Sequence, residues 1–82
     1  MNAPAATHDL DAPPTPDQIR SFQDQAAEQD ASVVVAYVLE NGTERQLTVS
    51  PRGTCVVLEG NTTNDAFPPD SDLEAVAEAC RA

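Results

Sequence analysis

An Asn-Gly pair between two strand-like segments constrains the fold of this chain more than any other feature. Asn41 and Gly42 follow the apolar, β-branched residues 32–40 and precede the alternating residues 43–50. A type I′ turn needs positive φ at both central positions, and Asn-Gly meets that need best. The next turn, residues 50–53, has proline second and glycine fourth, and it leads into a third apolar segment, residues 54–59. These features predict a three-stranded antiparallel meander.

A helix is predicted before the first strand. Thr15 and Gln18 form a T-x-x-Q capping box, and Pro16 suits the first helical position. We expect this helix to run to residues 28–30. At 100° per residue one stripe holds Ile19, Phe22 and Ala26, and the opposite stripe holds Asp17, Asp24 and Glu28.

A second helix is predicted after the third strand. Ser71 and Glu74 match the capping box S-x-x-E, and Leu73, Val76 and Cys80 fall on one helical face. Residues 60–70 between strand and helix are read as a loop. The fold class is therefore α+β, in the order α-β-β-β-α, with a three-stranded antiparallel meander and two helices packed on one face.

The chain is short enough to form one domain. Residues 1–14 mix Pro, Ala and Asp without periodicity, which is typical of a disordered arm. Residues 15–82 are then a single α+β domain. The order of its elements resembles that of the double-stranded-RNA-binding domain. Where that family carries lysines, residues 69–72 read Pro-Asp-Ser-Asp, so RNA binding does not carry over.

The predicted turn also assigns side chains to the two faces of the sheet. Counting back from a two-residue turn places Leu39 opposite Glu44 and Tyr37 opposite Gln46. The core face is then Val34, Ala36, Val38, Leu47, Val49, Val56 and Leu58. The other face is Val33, Val35, Tyr37, Leu39, Cys55 and Val57, diluted by Glu44, Gln46 and Thr48. Either the loop with Phe67 or the N-terminal arm covers this second face, or it is an interface with a second copy or a partner.

The charge is strongly acidic. Fourteen Asp and Glu residues against four arginines and no lysine give a net charge of −10. Such a chain repels nucleic acids and anionic membranes, so we expect it to bind neither directly. The acidity has three explanations: solubility, adaptation to high salt, or contact with a basic partner.

Groups able to perform catalysis are few. His8 lies in the predicted arm, where it would not be held in a reactive geometry. Cys55 is predicted within a strand and Cys80 at a helix C-terminus, and neither setting activates a thiol. Asp65, Asp70 and Asp72 do not have the spacing of an EF-hand loop. We therefore expect no enzymatic activity, no metal and no cofactor.

Cytoplasmic localisation is expected from the N-terminal sequence. The first residues contain neither the basic nor the apolar region of a secretory signal. No apolar segment is as long as a membrane span.

These considerations predict a small non-enzymatic protein-binding module. Asp17 and Asp24 would stand about 10 Å apart along the helix axis, on the scale of successive backbone phosphates. An acidic surface of this kind suits an inhibitor or regulator that blocks a basic nucleic-acid-binding site, as phage and mobile-element inhibitors, anti-CRISPR proteins among them, do. The predicted partner-binding residues are Asp17, Asp24, Glu28, Glu44, Val35, Tyr37, Leu39 and Val57. The alternative is a halophile-adapted homodimeric accessory domain that pairs through the second face of the sheet.

Overall fold

The computed structural model describes residues 6–82, which form two helices and a five-stranded mixed sheet. In chain order the elements are β1 (Ala6–Asp9), α1 (Pro16–Gln29), β2 (Val33–Val38), β3 (Glu44–Val49), β4 (Cys55–Glu59), β5 (Thr62–Phe67) and α2 (Leu73–Arg81). The strands lie in the order β1-β2-β3-β4-β5, with β1 parallel to β2 and every other pair antiparallel. The α+β class is confirmed. The prediction of a three-stranded antiparallel meander is wrong, because an additional strand pairs at each edge.

Strand β1 occupies part of the predicted disordered arm. Its register continues beyond the strand, because the Leu10 N–H donates to the carbonyl of Ala36 at 2.8 Å. The imidazole of His8 donates from Nε2 to Oε1 of Gln25 at 3.0 Å, and its ring centroid lies 5.0 Å from that of Phe22. A disordered arm over residues 1–14 is therefore wrong for residues 6–9, and residues 1–5 lie outside the described part of the chain.

Strand β5 forms within the predicted loop over residues 60–70. It follows β4 after a two-residue loop, Gly60 and Asn61, because Glu59 pairs with Thr62. The register shifts between Val57 and Leu58, at a β-bulge. The loop prediction failed here because the side chains of this edge strand are mostly exposed and polar, and they lack the apolar alternation of a half-buried strand.

Helix α1 agrees with its sequence features. Thr15 Oγ1 accepts from the Gln18 N–H at 3.2 Å, and Gln18 Oε1 accepts from the Thr15 N–H at 2.8 Å. The helix ends at Gln29, and Asp30 adopts the left-handed conformation that commonly ends helices. The predicted apolar stripe is buried and the predicted acidic stripe is exposed.

Helix α2 begins one residue later than its predicted cap implies. The N-cap is Asp72, whose Oδ1 accepts from the Glu74 N–H at 3.1 Å. The predicted Ser71 capping box is therefore wrong, since an Asp one position later provides the acceptor. Val76 and Cys80 are buried and Leu73 packs at the edge of the core, as predicted.

The core lies between the helices and one face of the sheet, but this is not the predicted face. Fully buried sheet residues are Val33, Val35, Tyr37, Leu47, Val49, Cys55 and Val57. Only Leu47 and Val49 belong to the predicted core face. The side chains of β2 and β4 point the opposite way from the prediction, while those of β3 point as predicted.

The lengths of two hairpin loops explain this inversion. The Leu39 N–H donates to the Thr43 carbonyl and the Gly42 N–H donates to the Leu39 carbonyl, which closes a three-residue loop, residues 40–42. The turn between β3 and β4 repeats this arrangement around residues 51–53. In each loop the third residue is a glycine with positive φ, typical of a type I turn followed by a bulge. One extra residue relative to a two-residue turn shifts the register by one, which exchanges the two faces of a strand.

The described residues include no helix that is long and apolar enough to cross a membrane.

Candidate protein-binding surface

One face of the sheet lies away from both helices, and we call it the open face. Its side chains form rows across the strands, because paired residues point to the same side. The first row consists of Thr7, Val34, Thr48, Val56 and Ala66. The second row consists of Asp9, Ala36, Gln46, Leu58 and Thr63, and the third pairs Val38 with Glu44.

Six of the twelve side chains in the three rows of the open face are apolar. Its valine, leucine and threonine side chains on the three central strands are half-buried by their neighbours in the sheet, and Val38 is 38% exposed. In the described part of the chain no helix packs over them, since both helices contribute their buried residues to the core on the other side. A sheet face with this composition is typical of a contact surface.

One end of the open face is acidic. A shallow cavity of about 470 Å³ lies there, and its lining includes Ala36 and Val38 together with the carboxylates of Asp9, Asp11 and Glu44. All three carboxylates are exposed. The first row at the other end contains no charged residue, so the face changes from uncharged to anionic along the strands.

A second cavity, of about 590 Å³, lies beside the loop between β2 and β3 and is lined partly by Arg45 and Arg81. The guanidinium of Arg45 is already engaged. Its Nε donates to Glu59 at 2.9 Å, and its Nη1 donates to the carbonyl oxygens of Cys80, at 3.3 Å, and Ala82. Arg45 therefore joins β3, β4 and the end of α2, and its role is structural.

The apolar residues predicted to bind a partner do not lie on a surface. Val35 and Val57 are completely buried, Tyr37 is 1% exposed, and Leu39 packs against the core. The prediction that these four residues form an exposed face is wrong, for the register reason given above. The sequence also predicts that one face of the sheet carries apolar side chains outside the core. In the structure the apolar side chains on that face are Val34, Val38, Val56 and Leu58, and not the four predicted residues.

The acidic residues predicted to bind a partner are all exposed, but they are divided between two surfaces. Asp17, Asp24 and Glu28 lie on α1, on the side of the helix away from its buried stripe. Glu44 lies on the open face, which is the opposite side of the sheet from α1. Asp9 and Asp11 were not predicted as site residues from the sequence, because both fall within the predicted disordered arm.

Acidic side chains are exposed throughout the molecule. All fourteen Asp and Glu side chains are exposed. Within residues 6–82 a single ion pair forms, between Arg45 and Glu59. The net charge of −10 therefore stands at the surface, with little compensation by neighbouring arginines.

Both cysteine thiols lie in settings that disfavour the reactive thiolate form. Burial raises the pKa of the Cys55 thiol to about 11 and also raises the pKa of Cys80. Both thiols are buried and free, and both lie in the core, although Cys55 was predicted on the other face. His8 is fixed between Gln25 and Phe22 rather than loose in an arm. In the described ranges no group of three or more His, Cys, Asp or Glu residues could hold a metal ion.

The sequence matches no protein-family model, and neither a curated protein nor a solved structure is significantly similar to it.

Proposed function

We propose that this protein is a non-enzymatic binding module that inhibits or regulates a target protein by occupying its basic nucleic-acid-binding site. Inhibitors of this kind, anti-CRISPR proteins among them, are encoded by phages and mobile elements. The observation that carries the proposal is the exposure of all fourteen carboxylates with a single ion pair in the described part of the chain. This charge distribution favours a protein partner with a basic surface.

Electrostatics supports this class of partner. Uncompensated carboxylates produce a negative potential over the surface, which attracts basic clefts and speeds association with them. The same potential repels nucleic acid and anionic lipid. On α1, Asp17 and Asp24 are seven residues apart, or about 10 Å along the axis, so both carboxylates lie on the same side of the helix.

Capture from the native host tests the proposal. Immobilised wild-type protein is compared with a variant in which Asp17, Asp24, Glu28 and Glu44 are replaced by lysine, and the retained proteins are identified by mass spectrometry. We expect the wild type alone to retain a nucleic-acid-binding protein, which added salt or a competing oligonucleotide releases. The purified target should also lose its affinity for nucleic acid as wild-type protein is added. Retention that is insensitive to both salt and oligonucleotide contradicts the proposal.

A second candidate is a halophile-adapted accessory domain that forms a homodimer in the cytoplasm. The absence of lysine together with the exposure of all the carboxylates favours it. Folding monitored by circular dichroism from low salt to molar KCl separates the two. A halophilic domain gains structure with salt, because screening relieves the repulsion among its carboxylates. A binding module that is not adapted to high salt is folded at every salt concentration, from low salt to molar KCl.

A further inference from the structure

We propose that the open face, rather than the acidic stripe of α1, is the surface that docks onto the partner. Its occupant is a protein surface with an apolar centre and arginine or lysine side chains along one side. This inference rests on the proposed function, and it specifies which surface acts and which chemistry the partner must have.

The apolar part of the open face supplies the centre of the contact. Within residues 6–82, Val34, Val56 and Leu58 on strands β2 and β4 have only sheet neighbours to cover them, and Val38 is the most exposed large apolar side chain. Burying such side chains in a contact removes apolar surface from water, which favours the complex. The exposed side of α1 offers no comparable apolar group, because its large apolar residues, Ile19 and Phe22, are buried in the core.

The charged part of the open face determines the polarity of the partner. Asp9 and Glu44 end the second and third rows, and Asp11 lines the same cavity. Arg45 also lines this cavity, but its guanidinium lies on the helix side of the sheet and pairs there with Glu59. A partner cation placed in the cavity meets several carboxylates and the methyl groups of Ala36 and Val38. This combination suits the charged head and aliphatic stem of arginine or lysine.

A second copy of the chain fits this surface poorly. Each copy has a net charge of −10, so pairing brings two strongly anionic surfaces together in any orientation. A basic partner removes that repulsion and replaces it with attraction. Charge complementarity therefore favours a basic partner over a homodimer.

A titration followed by NMR tests the docking surface with a defined probe. The probe is a synthetic peptide with a pair of arginines followed by alternating leucine and serine. The matched control peptide has serine in place of each leucine and so keeps the same charge. We expect the probe to shift the side-chain methyl resonances of Val38, Val56 and Leu58 and to bind at least about fivefold more tightly than the control peptide, because only the probe buries apolar area.

Two charge reversals on opposite surfaces provide matched variants. Glu44→Lys changes the open face and Glu28→Lys changes α1, and both replace an exposed carboxylate with the same net change in charge. We expect Glu44→Lys to weaken probe binding about tenfold and Glu28→Lys about twofold, because the nearby charge acts directly and the distant one is screened by salt. Circular dichroism of both variants verifies that the fold is retained.

The outcomes separate this inference from the proposed function. Shifts on α1, with Glu28→Lys the more damaging variant, overturn the docking surface but leave an acidic binding module. Shifts confined to β5 also overturn it, since they indicate strand addition at the edge. Open-face shifts that depend on protein concentration without peptide identify a second copy as the occupant. An absence of peptide binding overturns the docking surface, whereas the proposed function is contradicted separately, by capture from the host that neither salt nor oligonucleotide reverses.

Discussion

The hydroxyl of Tyr37 donates a buried hydrogen bond to the backbone carbonyl of Cys80 at 3.0 Å. Cys80 lies in the last turn of α2, where carbonyl groups have no partner within the helix. Arg45 donates to the same carbonyl from the neighbouring strand. Two side chains of the sheet therefore hold the end of α2 in place, and this contact depends on Tyr37 facing the core.

Replacing Tyr37 with phenylalanine tests this contact. Because the ring is kept and only the buried donor is lost, we expect Tyr37→Phe to lower the free energy of unfolding by about 1 kcal/mol. Urea denaturation followed by circular dichroism measures the change. Adding Arg45→Met should cost more than the sum of the single changes, since the Cys80 carbonyl then loses both donors. A double variant that is merely additive contradicts the shared role.

Stability should decline in alkaline solution. The folded pKa of Cys55 is raised from 9.0 to about 11, and burial also raises the pKa values of Cys80 and Tyr37. A group whose pKa is higher in the folded than in the unfolded state contributes stability that is fully present below its unfolded pKa. This contribution is lost as the pH rises through its folded pKa. Urea midpoints should therefore fall as the pH rises from 9.0 to about 11. Cys55→Val, which removes one of the titrating thiols, should reduce this decline, and an unchanged slope contradicts the assignment.

The two helices could be predicted from sequence because their determinants are local. A capping box, an N1 proline and a stripe of apolar residues lie within a few positions of each other, and no distant pairing is needed to recognise them. At α2 the predicted N-cap, Ser71, and the observed N-cap, Asp72, are adjacent, and both residue types are good N-caps.

Alanine substitutions at these two positions distinguish the caps. Asp72→Ala removes the acceptor of the Glu74 N–H and should lower the free energy of unfolding by about 1 kcal/mol. Ser71→Ala is the matched control and should change it by no more than a few tenths of a kcal/mol, because its side chain caps no helical N–H. Chemical denaturation of both variants provides the comparison. Equal losses at the two positions contradict the assignment of Asp72.

The faces of the sheet could not be predicted so well, because one residue in a loop reverses the direction of every side chain along a strand. Asn41 and Gly42 favour a two-residue turn, but Glu40 joins them in a loop of three. The Asn41 side chain accepts from the Thr43 N–H at 3.0 Å, which stabilises this longer loop. Both β2 and β4 are rich in valine at successive positions, so alternation alone does not correct the register.

Substitutions at Gly42 test the loop that sets this register. Its φ is 88°, and a Cβ built there meets no atom within 4 Å, so any cost arises from the backbone conformation and not from a clash. We expect Gly42→Ala to lower the free energy of unfolding by about 1–2 kcal/mol. Gly42→Asn should cost less than half as much, because asparagine tolerates positive φ better than alanine. Thermal denaturation compares them, and equal losses contradict the conformational explanation.

The edge strands were missed because their formation depends on non-local pairing. Residues 6–9, Ala-Thr-His-Asp, have no strand-like pattern, and their parallel partner β2 lies beyond a whole helix in the sequence. Their position matters for the candidate site, since Asp9 and the neighbouring Asp11 contribute two of the carboxylates at the acidic end of the open face. That part of the site could not be inferred while these residues were considered disordered.

A substitution at His8 tests whether β1 is a stable part of the sheet. His8 holds the strand against α1 through Gln25 and the ring of Phe22, so His8→Ala should loosen β1 without unfolding the core. Hydrogen exchange measures this directly, because the amide of Leu10 is protected only by its bond to Ala36. We expect its exchange to accelerate by at least about tenfold, while the amides of Leu47 and Val57 in the central strands change by less than about twofold.

Thr7→Ala, on the other side of the same strand, is the control and should leave the exchange of Leu10 unchanged. Rapid exchange of Leu10 already in the wild type contradicts the pairing of β1, and it also removes Asp9 and Asp11 from the proposed docking surface, because the two carboxylates are held beside Glu44 only while this strand is paired.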